Sequence, residues 1–165
     1  LVLTVFDNGE VRSMEELYPA EQRGAVDYVH ESFAKISDYP EFFGTQDLVW
    51  MHGLSMYLGP KVVDALQAGF MLLNDGGTMM YDYLIMTESL RRCLNTQGWP
   101  VDEKFMFIQS DVQSAYNQAR NDVAALNLRL EKGKQLFEIE KAIITEVYPW
   151  GATSLRVFLR KYSVL

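Results

Sequence analysis

The clearest pattern in the sequence is an apolar seam in its C-terminal half. The members are separated by alternating spacings of four and three residues: Val112, Tyr116, Ala119, Val123, Leu126 and Leu130. A heptad seam of this kind holds one stripe of a long helix against a partner. Trp99-Pro100 precedes the surrounding segment and Pro149 closes it, so we predict that residues 101–147 form the long element of the fold, with Gly133 as its first stop signal. A continuous helix over 102–132 would be about 46 Å long at 1.5 Å per residue.

Further segments carry apolar residues at helical spacing. They cover residues 20–36, 46–58, 61–73 and 79–94, and a short final helix follows Thr153 or Ser154. Glycine and proline separate these segments, as at Gly59-Pro60 and in residues 74–77. Glycine inside a helix costs about 1 kcal/mol relative to alanine, so Gly69 within 61–73 indicates that this helix packs closely against a neighbour.

The first residues are typical of extended chain. Residues 1–6 are apolar and rich in β-branched side chains, and Asn8-Gly9 separates them from a second short run at 10–12. Asn-Gly between two extended runs is the strongest local signal for a β-hairpin. A single strand that joins another sheet is the competing interpretation.

Together these patterns predict an all-α fold. We expect a bundle of six or seven helices, with one long helix in the C-terminal half and a small N-terminal β-hairpin or strand. A length of 165 residues fits a single domain. Because the sequence begins at Leu1 rather than Met, we expect it to be a fragment of a longer chain or a processed product.

The net charge of -7 is concentrated near the N-terminus. Residues 1–60 contain ten acidic and three basic side chains, whereas residues 61–165 contain twelve of each. An acidic surface repels phosphate, so nucleic-acid binding is not expected there. The basic candidate is the group Arg156, Arg160 and Lys161, which we interpret as a solvated helix end. A nucleic-acid-binding module that uses this patch is kept as an alternative.

Cysteine content and hydropathy bear on where the chain resides. Cys93 is the only cysteine, so no internal disulfide forms and a reducing, intracellular compartment is favoured. The most apolar region, residues 48–86, is interrupted by charged side chains, so we expect no membrane-spanning helix.

Three groups of side chains could carry chemistry. Asp27, His30 and Glu31 would share one side of a helix, as the ligands of a metal or acid–base site do. His52 lies in an apolar segment, which is typical of a core histidine. Asp75-Gly76-Gly77 follows a predicted helix rather than a strand, so we interpret it as a turn and not as a phosphate loop. None of these patterns identifies a catalytic residue, a metal or a cofactor.

We therefore expect a non-enzymatic protein–protein interaction or self-assembly domain of a larger structural, viral or regulatory protein. The predicted contact residues lie on the seam and just beyond it: Val112, Tyr116, Val123, Leu126, Leu130 and Phe137. The expected partner is another protein, above all a second copy of the chain, and no small-molecule substrate is identified. A small-molecule or cofactor-binding sensor with a pocket between helices near His52, Trp50 and Tyr57 is the second interpretation.

Overall fold

The computed structural model describes residues 3–6, 26–29, 33–51, 58–96, 98, 108–130, 135–147 and 152–163. The chain divides into two compact units, unit 1 (Leu1–Pro40) and unit 2 (Glu41–Leu165).

Unit 1 contains two short parallel strands. Strand β1 (Leu3–Phe6) pairs with strand β2 (Val26–Val29) over four residues of each. This parallel pairing confirms the strand predicted at the N-terminus and is distinct from the antiparallel pairing of a hairpin. The second run of that hairpin, residues 10–12, lies outside the described residues.

The helix predicted over 20–36 is also wrong in its middle. Residues 26–29 form β2, and a 3-10 helix, Phe33–Asp38, follows. Val26 and Val29 are β-branched, which favours an extended conformation over a helix.

Unit 2 alternates strands and helices and ends in two strands. Its elements in chain order are β3 (Gln46–Met51), α1 (Val62–Leu72), β4 (Leu73–Ile85), α2 (Glu88–Thr96), α3 (Val112–Leu130), β5 (Gln135–Val147) and β6 (Ala152–Ser163). Short 3-10 helices, Pro40–Phe42 and Gly59–Lys61, precede β3 and α1. The all-α prediction of six or seven helices is therefore wrong, because the described residues form three α-helices and a four-stranded mixed sheet in unit 2.

The strands of this sheet lie in the order β3-β4-β6-β5. β3 and β4 are parallel, whereas β6 is antiparallel to both of its neighbours. The carboxyl ends of β3, β4 and β5 therefore share one edge of the sheet with the amino end of β6. Gln46 pairs with Leu73 and Leu48 with Thr78, so residues 74–77 form a bulge in β4. The glycines predicted to form an interhelical turn lie in this bulge.

β3 and β4 replace the helices predicted over 46–58 and 79–94. At the carboxyl end of β4, all of residues 81–85 are buried, so both faces of the strand are covered there. A strand covered on both faces carries a nearly continuous apolar run, which periodicity does not distinguish from a buried helix. The helical prediction holds only for the last part of 79–94, where α2 begins at Glu88.

The long helix is shorter than predicted. Residues 112–130 form α3, whose 19 residues span about 28 Å. The chain after it returns as β5, which is rich in β-branched side chains: Ile139, Ile143, Ile144, Thr145 and Val147. The short helix predicted after Thr153 is instead β6, in which buried residues alternate with more exposed ones with period two.

Helices α1 and α3 cover one face of the sheet. The core on this face includes Leu66, Leu73, Met79, Leu126, Val157 and Leu159, which are all fully buried. Phe70 in α1 and Phe137 in β5 make a T-shaped ring contact, with 5.1 Å between ring centroids. A Cβ atom at Gly69 would collide with the Met79 sulfur, so the close helix packing predicted from this glycine is confirmed. None of the described helices has the length and apolar composition that crossing a membrane demands.

Candidate ligand-binding site

The candidate site lies where the parallel strands β3 and β4 end. In open α/β sheets, ligands bind in the crevice outside the carboxyl ends of the strands. β3 ends at Met51, which pairs with Tyr81, whereas β4 continues to Ile85. We call the region formed by Met51, residues 84–88 and residues 108–111 the carboxyl edge.

Gln109 pairs with the end of β4. The Gln109 N–H donates to the Leu84 carbonyl at 2.9 Å, and the Met86 N–H donates to the Gln109 carbonyl at 2.7 Å. These bonds flank a parallel bridge between Ile85 and Gln109 and hold the Gln109 backbone in place. The Gln109 side chain is half-buried, and it makes no hydrogen bond within the described part of the chain.

Two helices begin at the carboxyl edge, each with a side-chain cap. Thr87 Oγ1 accepts a hydrogen bond from the Leu90 N–H at 3.1 Å, and Asp111 Oδ1 accepts one from the Ser114 N–H at 2.7 Å. The bond from the Ser114 backbone, together with the Ser110 hydroxyl, lowers the pKa of Asp111. This carboxylate therefore stays ionised at the positive end of the α3 dipole.

An apolar cluster supports the carboxyl edge on the α2 side of the sheet. It consists of Leu84, Leu90, Leu94, Ile108 and Ala152, with the half-buried Met86 packed against it. The cluster shields the end of β4 from water on this face.

A buried ion pair lies on β4 and β6, on the same face as Leu84. Asp82 is 1% exposed and accepts two hydrogen bonds from Arg156, at 2.7 and 3.0 Å. The hydrogen bonds to Asp82 raise the pKa of Arg156. The guanidinium also lies 5.3 Å from the centroid of the Trp50 ring, which is 56% exposed. The exposed Trp50 ring therefore makes a cation–π contact with an arginine whose position is fixed by Asp82.

On the opposite face, a second buried polar group joins β4 to α3. The Tyr83 hydroxyl donates to Asp122 Oδ2 at 3.0 Å, and Gln118 Nε2 donates to Asp122 Oδ1 at 2.8 Å. Burial raises the pKa of Asp122, and it also raises the pKa of Tyr83 and of Tyr81. The buried Tyr81 hydroxyl has no hydrogen-bond partner among the described residues. The hydrogen bond from Tyr83 to Asp122 therefore links α3 to β4. β4 contributes residues to the carboxyl edge, and α3 begins directly after Asp111.

The residues predicted to contact a protein partner lie on α3 and β5. Three of them are buried within unit 2, namely Val123, Leu126 and Phe137. Leu130 is half-buried, and Val112 and Tyr116 are 38% and 37% exposed. The seam therefore packs mainly against the sheet of its own chain.

The three basic residues predicted to form a patch lie on two faces of β6. Arg156 binds the buried Asp82, and Arg160 binds the exposed Glu140 at 3.0 Å. Lys161 is buried on the other face, where it donates to two carbonyls at the end of α1. Successive residues of a strand point to opposite faces, so the patch does not form. The nucleic-acid-binding alternative thereby loses its basis.

The other candidate residues are not brought together. Asp27 lies in a strand, which removes the helical spacing that grouped it with His30 and Glu31. His30, Glu31 and His52 lie outside the described residues. No group of three or more His, Cys, Asp or Glu side chains that could hold a metal ion occurs in the described ranges. Cys93 is half-buried and free.

Sequence reasoning missed Asp82 and Gln109, and it assigned Arg156 to a basic patch rather than to an ion pair with Asp82. Asp82 carries a usable signal, because a charged residue inside an apolar run requires a buried partner. Gln109 carries none, since its significance comes from pairing with a strand far from it in the sequence.

No protein-family model and no curated protein matches the sequence. Solved structures do match the fold. The chain is similar to a 1,6-didemethyltoxoflavin-N1-methyltransferase from Burkholderia thailandensis, solved with 1,6-didemethyltoxoflavin and S-adenosylhomocysteine bound. The TM-score is 0.64 at 13% identity, over 97% of this chain and 61% of that one. This chain therefore spans less than two thirds of the length of that structure.

Two further structures give similar values. A SAM-dependent methyltransferase from Methanosarcina mazei matches with a TM-score of 0.62 and 14% identity, over 98% of this chain and 82% of that one. A 16S rRNA (adenine(1408)-N(1))-methyltransferase from Catenulisporales acidiphilia matches with a TM-score of 0.61 and 13% identity, over 99% of this chain and 74% of that one. The chain thus has an α/β fold that is found in SAM-dependent methyltransferases.

This fold corrects the functional predictions. The prediction of a non-enzymatic interaction or self-assembly domain depended on an all-α bundle, and it is wrong. The chain instead has a fold found in solved structures of methyltransferases. The predictions of a protein partner or homo-oligomer and of a viral or structural role are wrong on the same ground. The sensor alternative near His52 also depended on a pocket between helices of that bundle.

Proposed function

We propose that the chain binds S-adenosylmethionine and takes part in methyl transfer to a small-molecule acceptor. The observation that carries the proposal is the fold, which matches over 97% of the chain a methyltransferase structure that holds S-adenosylhomocysteine and a small heterocycle. The carboxyl edge, where the parallel strands end, is the place at which this class of fold binds its ligands.

Apart from the exposed acids Glu88 and Asp111, which bind Arg92 and the Ser114 N–H, the side chains of the carboxyl edge suit a ligand with apolar and neutral polar parts. Met51 and Ile85 are buried and Met86 is half-buried, while Gln109 adds a carboxamide. When bound, S-adenosylmethionine supplies an electrophilic methyl group on a sulfonium sulfur. The chain's own residues hold the acceptor beside the strand ends and limit access of water from the α2 side.

The charge distribution supports a small acceptor over RNA. The net charge is -7, and two of the three clustered bases of β6 are engaged by carboxylates while the third is buried. An RNA substrate needs a basic surface that neutralises its phosphates.

Calorimetric titration of the full chain with S-adenosylhomocysteine tests the proposal. We expect saturable binding at one site per chain. A wild-type chain that shows no saturable heat up to about 1 mM ligand overturns the proposal.

A further inference from the structure

We infer that the Gln109 carboxamide hydrogen-bonds the ring edge of an uncharged nitrogen heterocycle bound at the carboxyl edge. The inference rests on the proposed function and deepens it, because it names the class of ligand that this site selects and the residue that selects it.

The strand pairing places Gln109 beyond the end of β3. β6 occupies one side of β4 up to Ile85, whereas the described residues of β3 occupy the other side up to Tyr81. The bridge between Ile85 and Gln109 must therefore lie on the β3 side of β4. Ile85 lies four positions after Tyr81, which corresponds to about 13 Å along a strand. Gln109 thus borders the region outside the carboxyl end of β3, where ligands of open α/β sheets bind.

The direction of the side chain follows from its neighbours. Ile108 packs into the apolar cluster on the α2 face. Residue 109, bridged to Ile85, faces the opposite side by strand alternation, toward the start of α3. Its backbone is fixed by the two hydrogen bonds to Leu84 and Met86, so the carboxamide is presented from a rigid position.

The Gln109 carboxamide also differs from the polar groups around it. Other polar side chains flanking the end of β4 are engaged by protein groups: Thr87, Glu88, Ser110, Asp111, Gln113 and Ser114. Gln109 is a half-buried residue, and its carboxamide makes no protein hydrogen bond within the described residues. Its donor and its acceptor are therefore both available to a ligand.

A carboxamide selects a particular chemistry. It presents an acceptor oxygen and a donor nitrogen side by side in one plane, and it carries no charge. The complementary group is a ring edge with an adjacent donor and acceptor, as in a lactam or an aminopyrimidine, and a glutamine amide reads the adenine edge in DNA in this way. Both the methyl acceptor and the adenine ring of the cofactor can offer such an edge, so the test has one arm for each.

The test uses the full chain and two probes. Lumazine, a planar pteridinedione with lactam edges, is titrated in the presence of saturating S-adenosylhomocysteine, with 1,3-dimethyllumazine, whose lactam nitrogens are methylated, as the ligand control. S-adenosylhomocysteine is titrated alone in the second arm. The variants are Gln109→Leu and Gln109→Glu, and Gln113→Leu serves as the matched control because Gln113 is an exposed glutamine at the start of the same helix.

We expect Gln109→Leu to weaken lumazine binding roughly 10- to 100-fold, because a bidentate hydrogen-bonded contact usually contributes this much to affinity. Gln113→Leu should have no effect, and dimethyllumazine should bind wild type and Gln109→Leu equally weakly. Gln109→Glu should bind lumazine poorly at neutral pH and better at acid pH, where a protonated carboxyl regains a donor.

The second arm decides the source of the heterocycle and separates this inference from the proposed function. Loss of S-adenosylhomocysteine affinity in Gln109→Leu assigns the recognised edge to adenine, whereas unchanged cofactor affinity with lost lumazine affinity assigns it to the acceptor. A wild-type chain that binds S-adenosylhomocysteine, with neither affinity altered in Gln109→Leu or Gln109→Glu, overturns the inference and leaves the proposed function standing. Absence of cofactor binding in the wild type overturns the proposed function and the inference with it.

Discussion

Arg156 forms a bidentate ion pair with the buried carboxylate of Asp82, in which Nε lies 2.7 Å from Oδ1 and Nη2 lies 3.0 Å from Oδ2. The two residues face each other across adjacent antiparallel strands, in register. Because Asp82 is 1% exposed, water cannot replace these two hydrogen bonds as it would at a surface carboxylate.

Replacing the guanidinium should therefore be costly. We expect Arg156→Met to lower the free energy of unfolding by about 3–5 kcal/mol, because the buried Asp82 carboxylate loses both hydrogen bonds from the guanidinium. Arg160→Met on the same strand is the matched control, since Arg160 pairs with the exposed Glu140 and its loss should cost less than about 1 kcal/mol. Urea unfolding followed by circular dichroism measures both, and equal costs for the two variants would contradict the burial argument.

The two neighbouring tyrosines of β4 should respond oppositely to loss of the hydroxyl. Tyr83→Phe removes a donor to the buried Asp122 and should destabilise the protein by about 1–3 kcal/mol. Tyr81→Phe removes a buried hydroxyl that has no partner among the described residues, so it should be neutral or stabilise by up to about 1 kcal/mol. Thermal and urea unfolding of the two variants measure these changes. A large loss of unfolding free energy in Tyr81→Phe would show that the Tyr81 hydroxyl makes a hydrogen bond.

Asp122 should make stability depend on pH. Its pKa is raised above the ordinary 3.8 by burial, so the folded protein holds the proton more tightly than the unfolded chain. Its contribution to the free energy of unfolding therefore falls as pH rises from about 4 through the folded-state pKa. We expect wild type to gain stability relative to Asp122→Asn on acidification across this window, measured by urea unfolding at a series of pH values.

Asp111 provides a control of opposite sign for that experiment. Hydrogen bonds from the Ser114 backbone and the Ser110 side chain lower its pKa, so its stabilising contribution is present above the unfolded-state pKa and is lost as pH falls. Wild type should therefore lose stability relative to Asp111→Asn on acidification. The same sign for both variants would refute the assignment.

Lys161 should act as a buried cap on α1. Its ammonium donates to the Phe70 carbonyl at 3.3 Å and to the Leu73 carbonyl at 2.7 Å, and burial lowers its pKa. Lys161→Met leaves these carbonyls without that donor and should cost about 1–3 kcal/mol. Lys141→Met, at an exposed lysine 5.7 Å from the centroid of the Phe158 ring, should cost less than about 1 kcal/mol in the same unfolding assay.

The sequence by itself determined the elements whose signals are local. α1 and α3 have helical periodicity, and Gly59-Pro60 stands just before α1 as the sequence indicates. Gly69 correctly marked a close contact, because a helix interior tolerates glycine at a cost that packing must offset. The extended conformation of β1 also followed from its β-branched residues.

The tertiary structure alone decided the sheet and the candidate site. The carboxyl end of β4 is covered on both faces, so its sequence lacks the alternation that identifies a strand and resembles a buried helix. The i,i+4 spacing of Arg156 and Arg160 fits one helix face, yet in β6 it also fits one strand face and sends Lys161 to the other. Gln109 acquires its position only by pairing with Ile85, and neither residue's own neighbours in the sequence encode which strand it will meet.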